Sequence, residues 1–313
     1  MKIIELILTI SITLGLTSCS NDSVAPYVNA PESLIALAQW DNTFKTHIFT
    51  MTLDGKSKKQ LTSGQTEYWM PAFSPDGKQI AYVSRLPTEM NIHVMNVDGT
   101  NQHQITSTGI NMAPSWSPDG TRIAFAHMDP GGRVLDIWLM NASGTEKKAL
   151  TFSLNHNVDN NVPTWSPDGQ KIAFTSNRNG GQYQLWIVNL SDSTLNQLTT
   201  AYFDSVIGHW IEQKVPAWSP DGKYIAYWQG VEGGPFPNLP WNVWVMSPQG
   251  TDNKMLAPGD DPTWSPDSKT IIHPWKITCP DSVSIGGISP DGTNQRLIVY
   301  TNCGFGRMSW CSK

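Results

Sequence analysis

The groups able to do chemistry recur at one kind of position, just before short apolar stretches that end in an aromatic residue and Ser-Pro-Asp. There the chain places Glu67 and Tyr68, Asn111, Asp159 with Asn160 and Asn161, Glu212 with Lys214, Asp260 with Asp261, and Arg307. Hard cations select clustered carboxylates and amide oxygens. Asp159, Asp260 and Asp261 could therefore hold Ca2+, although a solvated polar rim explains the same residues and no metal is assigned. No His-Glu-x-x-His, Gly-x-Ser-x-Gly or phosphate-binding glycine loop occurs. The seven histidines are scattered, with no pair at metal-ligand spacing. No catalytic residue and no cofactor follow from this pattern.

A second set lies in the two longest insertions, Thr200 to Gln213 and Gln229 to Pro240. They carry Tyr202, Phe203, His209, Trp210 and Phe236, with Trp241 just beyond. Aromatics on long loops above a rigid scaffold are equipment for binding a partner; packing on one another is the alternative. A third set, Asp76, Asp119, Asp168, Asp221 and Asp267, repeats once per unit. It is fully explained by turn chemistry, since Asp accepts hydrogen bonds from the backbone two residues on.

These positions are set by a repeat. Pro-x-Trp/Phe-Ser-Pro-Asp-Gly occurs at Pro71–Gly77, Pro114–Gly120, Pro163–Gly169 and Pro216–Gly222, and at Pro262–Ser268 with Ser in the last place. The aromatic anchors Phe73, Trp116, Trp165, Trp218 and Trp264 are 43, 49, 53 and 46 residues apart, near the period of a four-stranded propeller blade. Each motif is followed by a strand-like stretch such as Ile80–Val83, and then by a nearly continuous apolar run such as Ile137–Met140. Runs of this kind belong to sheets covered on both faces. Residues 33 to 62 hold only the later part of a unit, and Met308-Ser309-Trp310 holds only its beginning. The expected fold is an all-β, six-bladed β-propeller closed by exchange of the N- and C-terminal strands, a device that removes open sheet edges. The residue before each anchor is small (Ala72, Ser115, Thr164, Ala217, Thr263, Ser309), as strands converging on an axis require.

Composition narrows the partners. The chain of 313 residues is 39% hydrophobic and 15% charged, with net charge −5. No basic stripe exists to neutralise phosphates, so nucleic acid is excluded as a partner. Lys2 and the apolar stretch Ile3–Leu16 read as an export signal, too short and too polar to span a bilayer. The stretch ends in Leu16-Thr17-Ser18-Cys19, which resembles a bacterial lipobox. The expected organisation is a signal peptide over 1–18, acylated Cys19 with a tether over 19–32, and the propeller over 33–313. Ser20 after Cys19 favours the outer membrane of the cell envelope. In an oxidising compartment Cys279, Cys303 and Cys311 are expected to give one disulfide. Cys279 and Cys303 are expected to emerge on the same side of the last full blade, so they are the expected pair, leaving Cys311 as a thiol.

The units resemble the TolB-type (PD40, WD40-like) propeller repeat, which also occurs in relatives of dipeptidyl peptidase and prolyl oligopeptidase. The resemblance covers residues 33 to 313 and speaks for fold more than for function. It departs from TolB in having a tether where TolB has an N-terminal α/β domain, and in its lipid anchor. The resulting expectation is a monomeric, envelope-anchored scaffold that binds a protein or peptide through its long-loop face and channel mouth. The alternative is a propeller lyase or hydrolase, or a carbohydrate-binding protein, acting on an envelope glycan.

Overall fold

The computed structural model describes residues 33–41, 45–55, 57–152, 157–205, 208–231, 241–275, 283–301 and 305–311. Cys19, Phe236, Cys279 and Cys303 lie outside the described residues, as do residues 1–32 and the side chain of Arg307. Among the described residues every regular element is a β-strand, and the sheets form a β-propeller, in agreement with the all-β expectation.

The chain opens with β1 (Leu34–Trp40), β2 (Thr46–Thr52) and β3 (Lys59–Gln60). Four-stranded antiparallel meanders follow: β4 (Glu67–Phe73), β5 (Gln79–Arg85), β6 (Met90–Asn96) and β7 (His103–Gln104); then β8 (Ile110–Trp116), β9 (Arg122–Met128), β10 (Asp136–Asn141) and β11 (Lys148–Ala149). Next come β12 (Asn160–Trp165), β13 (Lys171–Ser176), β14 (Gln184–Asn189) and β15 (Leu195–Gln197). The following unit has an extra strand, β16 (Tyr202–Asp204), ahead of β17 (His209–Trp218), β18 (Ile225–Gly230), β19 (Asn242–Met246) and β20 (Lys254–Pro258). The last strands are β21 (Thr263–Trp264), β22 (Ile271–Trp275), β23 (Val283–Ile288), β24 (Arg296–Thr301) and β25 (Phe305–Cys311). β25 runs along β1, with Leu34 opposite Cys311 and Leu37 opposite Met308.

The apolar runs are explained by face-to-face packing. Val83 and Ile92 meet Ile123, Phe125 and Met140 of the next sheet, and Leu185 and Ile187 meet Ile225, Tyr227 and Met246. Ile35 and Leu37 meet Ile272 and Ile285 in the same way. Burying a side chain of this size contributes roughly 1.5–3 kcal/mol.

Four inner strands, β4, β8, β12 and β17, carry a bulge. The register slips between Trp69 and Ala72, Met112 and Ser115, Asn161 and Thr164, and Lys214 and Ala217. The residue before the motif proline has positive φ there: Met70 (52°), Ala113 (53°), Val162 (51°) and Val215 (54°). Proline has no N–H for the ladder, so the strand breaks pairing at that point and is re-aimed. The bulge divides each of these strands into a mouth segment and a channel segment.

The channel segments are stitched to one another. The Trp116 indole Nε1 donates to the Ala72 carbonyl at 3.1 Å, Trp165 to Ser115 at 3.1 Å, and Trp264 to Ala217 at 2.9 Å. Phe73, which has no indole, is reached by a different bond: its backbone N–H donates to Ser309 Oγ at 3.1 Å. Trp218 Nε1 breaks the pattern, being buried with no hydrogen-bond partner among the described residues.

The repeated aspartates serve the turns. Ser117 Oγ donates to Asp119 Oδ1 at 2.6 Å, and the Thr121 N–H donates to the same oxygen at 3.0 Å. These bonds hold the Asp119 carboxyl down at about 2. Asp76 and Asp168 are lowered in the same manner by Ser74 and Ser166.

The stitching makes Trp264 and Trp218 distinguishable by mutation, and the turn bonds make Asp119 sensitive to pH. Trp264→Phe leaves the Ala217 carbonyl without its donor, whereas Trp218→Phe removes a donor that has no acceptor. Denaturant unfolding should show Trp264→Phe less stable than Trp218→Phe by about 1–3 kcal/mol; equal losses would refute the stitch. A carboxyl that titrates lower in the fold than in the unfolded chain favours folding above about pH 4, and that contribution vanishes as pH falls toward 2. Asp119 is exposed, so solvent screening keeps the effect small: Asp119→Asn should cost at most about 1 kcal/mol near pH 7, and thermal melts should show the gap to the parent closing as pH drops through that window.

Candidate functional site

A cluster of exposed aromatic side chains is built by an irregularity of the repeat. β17 has ten residues where β4 and β8 have seven and β12 has six. Its extra N-terminal residues pair with β16, placing Phe203 opposite Trp210, Tyr202 opposite Ile211 and Asp204 opposite His209. Opposed residues share a face. Ile211 is buried on one side, while Phe203 and Trp210 stand on the other as an edge-to-face pair, ring centroids 5.7 Å apart. Pairing does not hide them: Phe203 is 52% exposed, Trp210 46% and Tyr202 49%. His209 at the hairpin tip is also exposed.

Among the described residues the polar groups before the inner strands do not form a single open ring. Asn111, Asn160 and Glu212 are buried because they face the preceding blade. Asn111 Nδ2 donates to Asn91 Oδ1 (3.3 Å) and the Thr108 carbonyl (2.9 Å), while His127 Nδ1 lies 2.8 Å from Asn111 Oδ1. Asn160 Nδ2 donates to Asp136 Oδ1 at 2.9 Å and its Oδ1 accepts from Arg178 at 2.7 Å. Asp159 Oδ1 accepts the Leu135 N–H at 2.8 Å. Asn161 is half-buried and accepts the Val162 N–H. A buried amide or carboxylate must find partners, and here they come both from the preceding blade, as Asn91, Leu135 and Asp136, and from the residue's own blade, as His127 and Arg178.

Five of the expected residues do come together where β14 meets β17. Glu212 Oε1 accepts the Tyr183 N–H at 3.0 Å, and Lys214 Nζ lies 3.1 Å from Glu212 Oε2. The Lys214 ammonium sits over the Tyr183 ring at 4.1 Å and near the Trp228 ring at 5.7 Å. The Tyr183 hydroxyl donates to Asp159 Oδ2 at 3.3 Å. Trp228 packs on Trp241, whose indole donates to the Val231 carbonyl. Arg178 covers Phe174 and Trp186 beside Asn160, and burial lowers its pKa. Lys214 and Glu212 are only 14% and 9% exposed, so this cluster is a desolvated charge pair in an aromatic cage below the hairpin.

The other expected residues lie at separate seams. Glu67 pairs with Arg85 at 3.8 Å, and Tyr68 packs between His47 and Tyr82. Asp260 and Asp261 are half-buried, next to Gly259, whose N–H donates to the Trp241 carbonyl. A side chain on Gly259 would collide with His273, an imidazole that burial holds down at about 4. Among the described residues no three of His, Cys, Asp and Glu are gathered to hold a metal ion. Below the mouth, the inner strands enclose a cavity of about 220 Å³ lined by Pro71, Ser115, Thr164, Pro216, Thr263 and Ser309.

Sequence reasoning missed Tyr183, Trp228 and Arg178, which lie in no repeated motif. It also missed a signal that was present. Thr62, Thr106, Thr151 and Thr199 follow the fourth-strand Leu or Ile, and each Oγ1 accepts an N–H of the third strand fourteen residues earlier.

Comparison with known proteins agrees with this architecture. The chain is 29% identical over 267 residues to the Tol-Pal system protein TolB of Gluconobacter oxydans, covering 81% of this chain and 54% of that one. It is 39% identical over 66 residues to dipeptidyl-peptidase 5 of Porphyromonas endodontalis, covering 21% and 10%. The chain thus spans about half or less of the length of these curated relatives. The crystal structure of TolB from Acinetobacter baumannii superposes with a TM-score of 0.74 at 23% identity, over 90% of this chain and 67% of that one, a likeness of fold. The family model of the TolB β-propeller domain (PD40) matches residues 33–313, and the chain belongs to that family.

Proposed function

We propose that this protein is an envelope-anchored propeller of six blades, closed between β25 and β1, that docks a protein or peptide partner on its β16–β17 hairpin and the adjoining mouth. The observation carrying the reading is the hairpin itself, whose Phe203, Trp210 and Tyr202 remain about half exposed. Evenly spread single apolar residues need no explanation, but adjoining aromatics on an inserted element mark an interaction site. Relatives named for the Tol-Pal system support a protein partner. The caged pair of Lys214 and Glu212 supports the hairpin from below and fixes its base to β14. The Leu16-Thr17-Ser18-Cys19 segment supports acylation at Cys19 and residence at the outer membrane, with the chain a monomer.

The reading separates two kinds of variant. Trp210→Ala and Phe203→Ala should leave thermal stability unchanged within about 0.5 kcal/mol and abolish docking. Glu212→Gln strands Lys214 in a desolvated site and should cost about 3 kcal/mol of stability. A photocrosslinking residue at position 203 in intact cells should capture one envelope protein, with the adduct lost in Trp210→Ala. The same residue at Lys78, on the turn side, should capture none. Equal capture from both positions, or turnover of an envelope glycan that Asp260→Ala abolishes, would overturn the docking reading. Labelled palmitate should enter the parent chain and not Cys19→Ala.

A further inference from the structure

One seam between blades is built differently from the others. In most units the turn after the third strand ends in a glycine that presses on the fourth strand of the preceding blade. A methyl group placed on Gly99 would lie 3.3 Å from Leu61, on Gly250 2.6 Å from the Leu198 carbonyl, and on Gly55 3.2 Å from Val299; on Gly144 it would collide with the Ile105 carbonyl. In these turns the bond closes over four residues, as from the Asn96 N–H to the Thr100 carbonyl or from Asn141 to Thr145. The β14–β15 turn closes over five, from the Asn189 N–H to the Thr194 carbonyl, and Ser193 stands at positive φ (59°) where the others have glycine. The longer turn lacks the glycine that would dock against β11.

A groove of about 450 Å³ opens there. Leu139, Leu150 and Leu190 form its apolar floor, and Phe152 stands at its lip, 75% exposed, the most exposed large apolar side chain among the described residues. Arg122 and Lys148 line the rim, with Glu146 as the one carboxylate among the lining residues. Arg122 lies over the Trp165 ring at 4.8 Å, and neither cation forms a salt bridge among the described residues. Among the described residues β11 ends its sheet and pairs only with β10.

We propose that this groove binds an extended acidic peptide segment of a partner, with a bulky apolar side chain seated on Leu139, Leu150 and Leu190. The free edge of β11 offers backbone groups for strand addition, which an extended peptide can use and an acyl chain cannot. The excess of cations at the rim, on a chain of net charge −5, selects carboxylates beside the apolar anchor. The site is separate from the hairpin face and does not depend on docking there.

The test is fluorescence polarisation with the full chain and a fluorescein-labelled Asp-Glu-Leu-Phe-Glu-Asp peptide. The expected dissociation constant is roughly 100 μM, as befits a contact far smaller than a standard interface. Ala149→Phe, which fills the groove, and Lys148→Glu should each weaken binding about tenfold, while Trp210→Ala should not. Melting curves of both groove variants should match the parent, showing that the fold is intact. Replacing the acidic residues of the peptide by lysine should abolish the signal. No polarisation change at millimolar protein, binding indifferent to Ala149→Phe, or equal binding of the lysine peptide would each overturn the proposal. So would displacement by sodium dodecanoate at concentrations below those of the peptide, which would assign the groove to an acyl carboxylate.

Discussion

The bond on which this molecule turns is the one from an indole N–H to the carbonyl of a small residue in the neighbouring inner strand. Trp116, Trp165 and Trp264 each make it. It explains two features of the repeat together. The residue before each anchor must be small so that the next indole can reach its carbonyl, and the anchor must be Trp where such a carbonyl is to be satisfied. A buried carbonyl left unpaired costs about as much as a lost hydrogen bond, so anchor and small residue constrain each other across the seam. Phe73 supports the rule by its exception, because Ser309 supplies the missing link from its hydroxyl.

The same logic governs the opposite end of each inner strand. The proline and the positive-φ residue before it break the ladder, freeing the mouth segment to lean on the preceding blade. Asn111 and Asn160 then become clasps between sheets rather than groups facing solvent. Polar side chains at a channel mouth therefore need not form a ligand site. What distinguishes clasp from site is burial with complete pairing, and by that measure Asn111 and Asn160 are clasps. The hairpin aromatics are the opposite case: they are paired with each other and still largely exposed.

The architecture was largely legible because the repeat states it many times over. Ser-Pro-Asp-Gly placed the first turns, the apolar runs placed the third strands, and the small residues before the anchors marked the inner strands. The turn role of Asp76, Asp119 and Asp168 was readable for the same reason, since the hydroxyl that binds each carboxylate sits two residues before it. The mouth was less legible. Sequence shows that Asn111 is polar and lies before a strand, but which way it points depends on the bulge at Ala113, a non-glycine residue in a conformation that no local preference favours. Tyr183 and Trp228 were invisible because they meet Lys214 only across a seam, and no spacing along the chain encodes that meeting.

Departures from the repeat carry the remaining information. A residue that keeps the pattern is accounted for by the pattern, so chemistry particular to this chain has to lie where the pattern fails. The departures gather around the blade of β12 to β15 and its neighbours. The β14–β15 turn is one residue longer and lacks its glycine, Trp218 lacks its carbonyl, and β17 is extended to build the hairpin. Each gives up something the other seams have, whether a close glycine contact, a hydrogen bond or a short connection. At the next seam the loss is repaired: Ser268, standing for glycine at positive φ (61°), accepts the Asp221 N–H at 2.9 Å. The groove beside Phe152 and the pair of Phe203 and Trp210 show no such repair, and surface left unrepaired in an otherwise tightly stitched propeller is surface available to a partner.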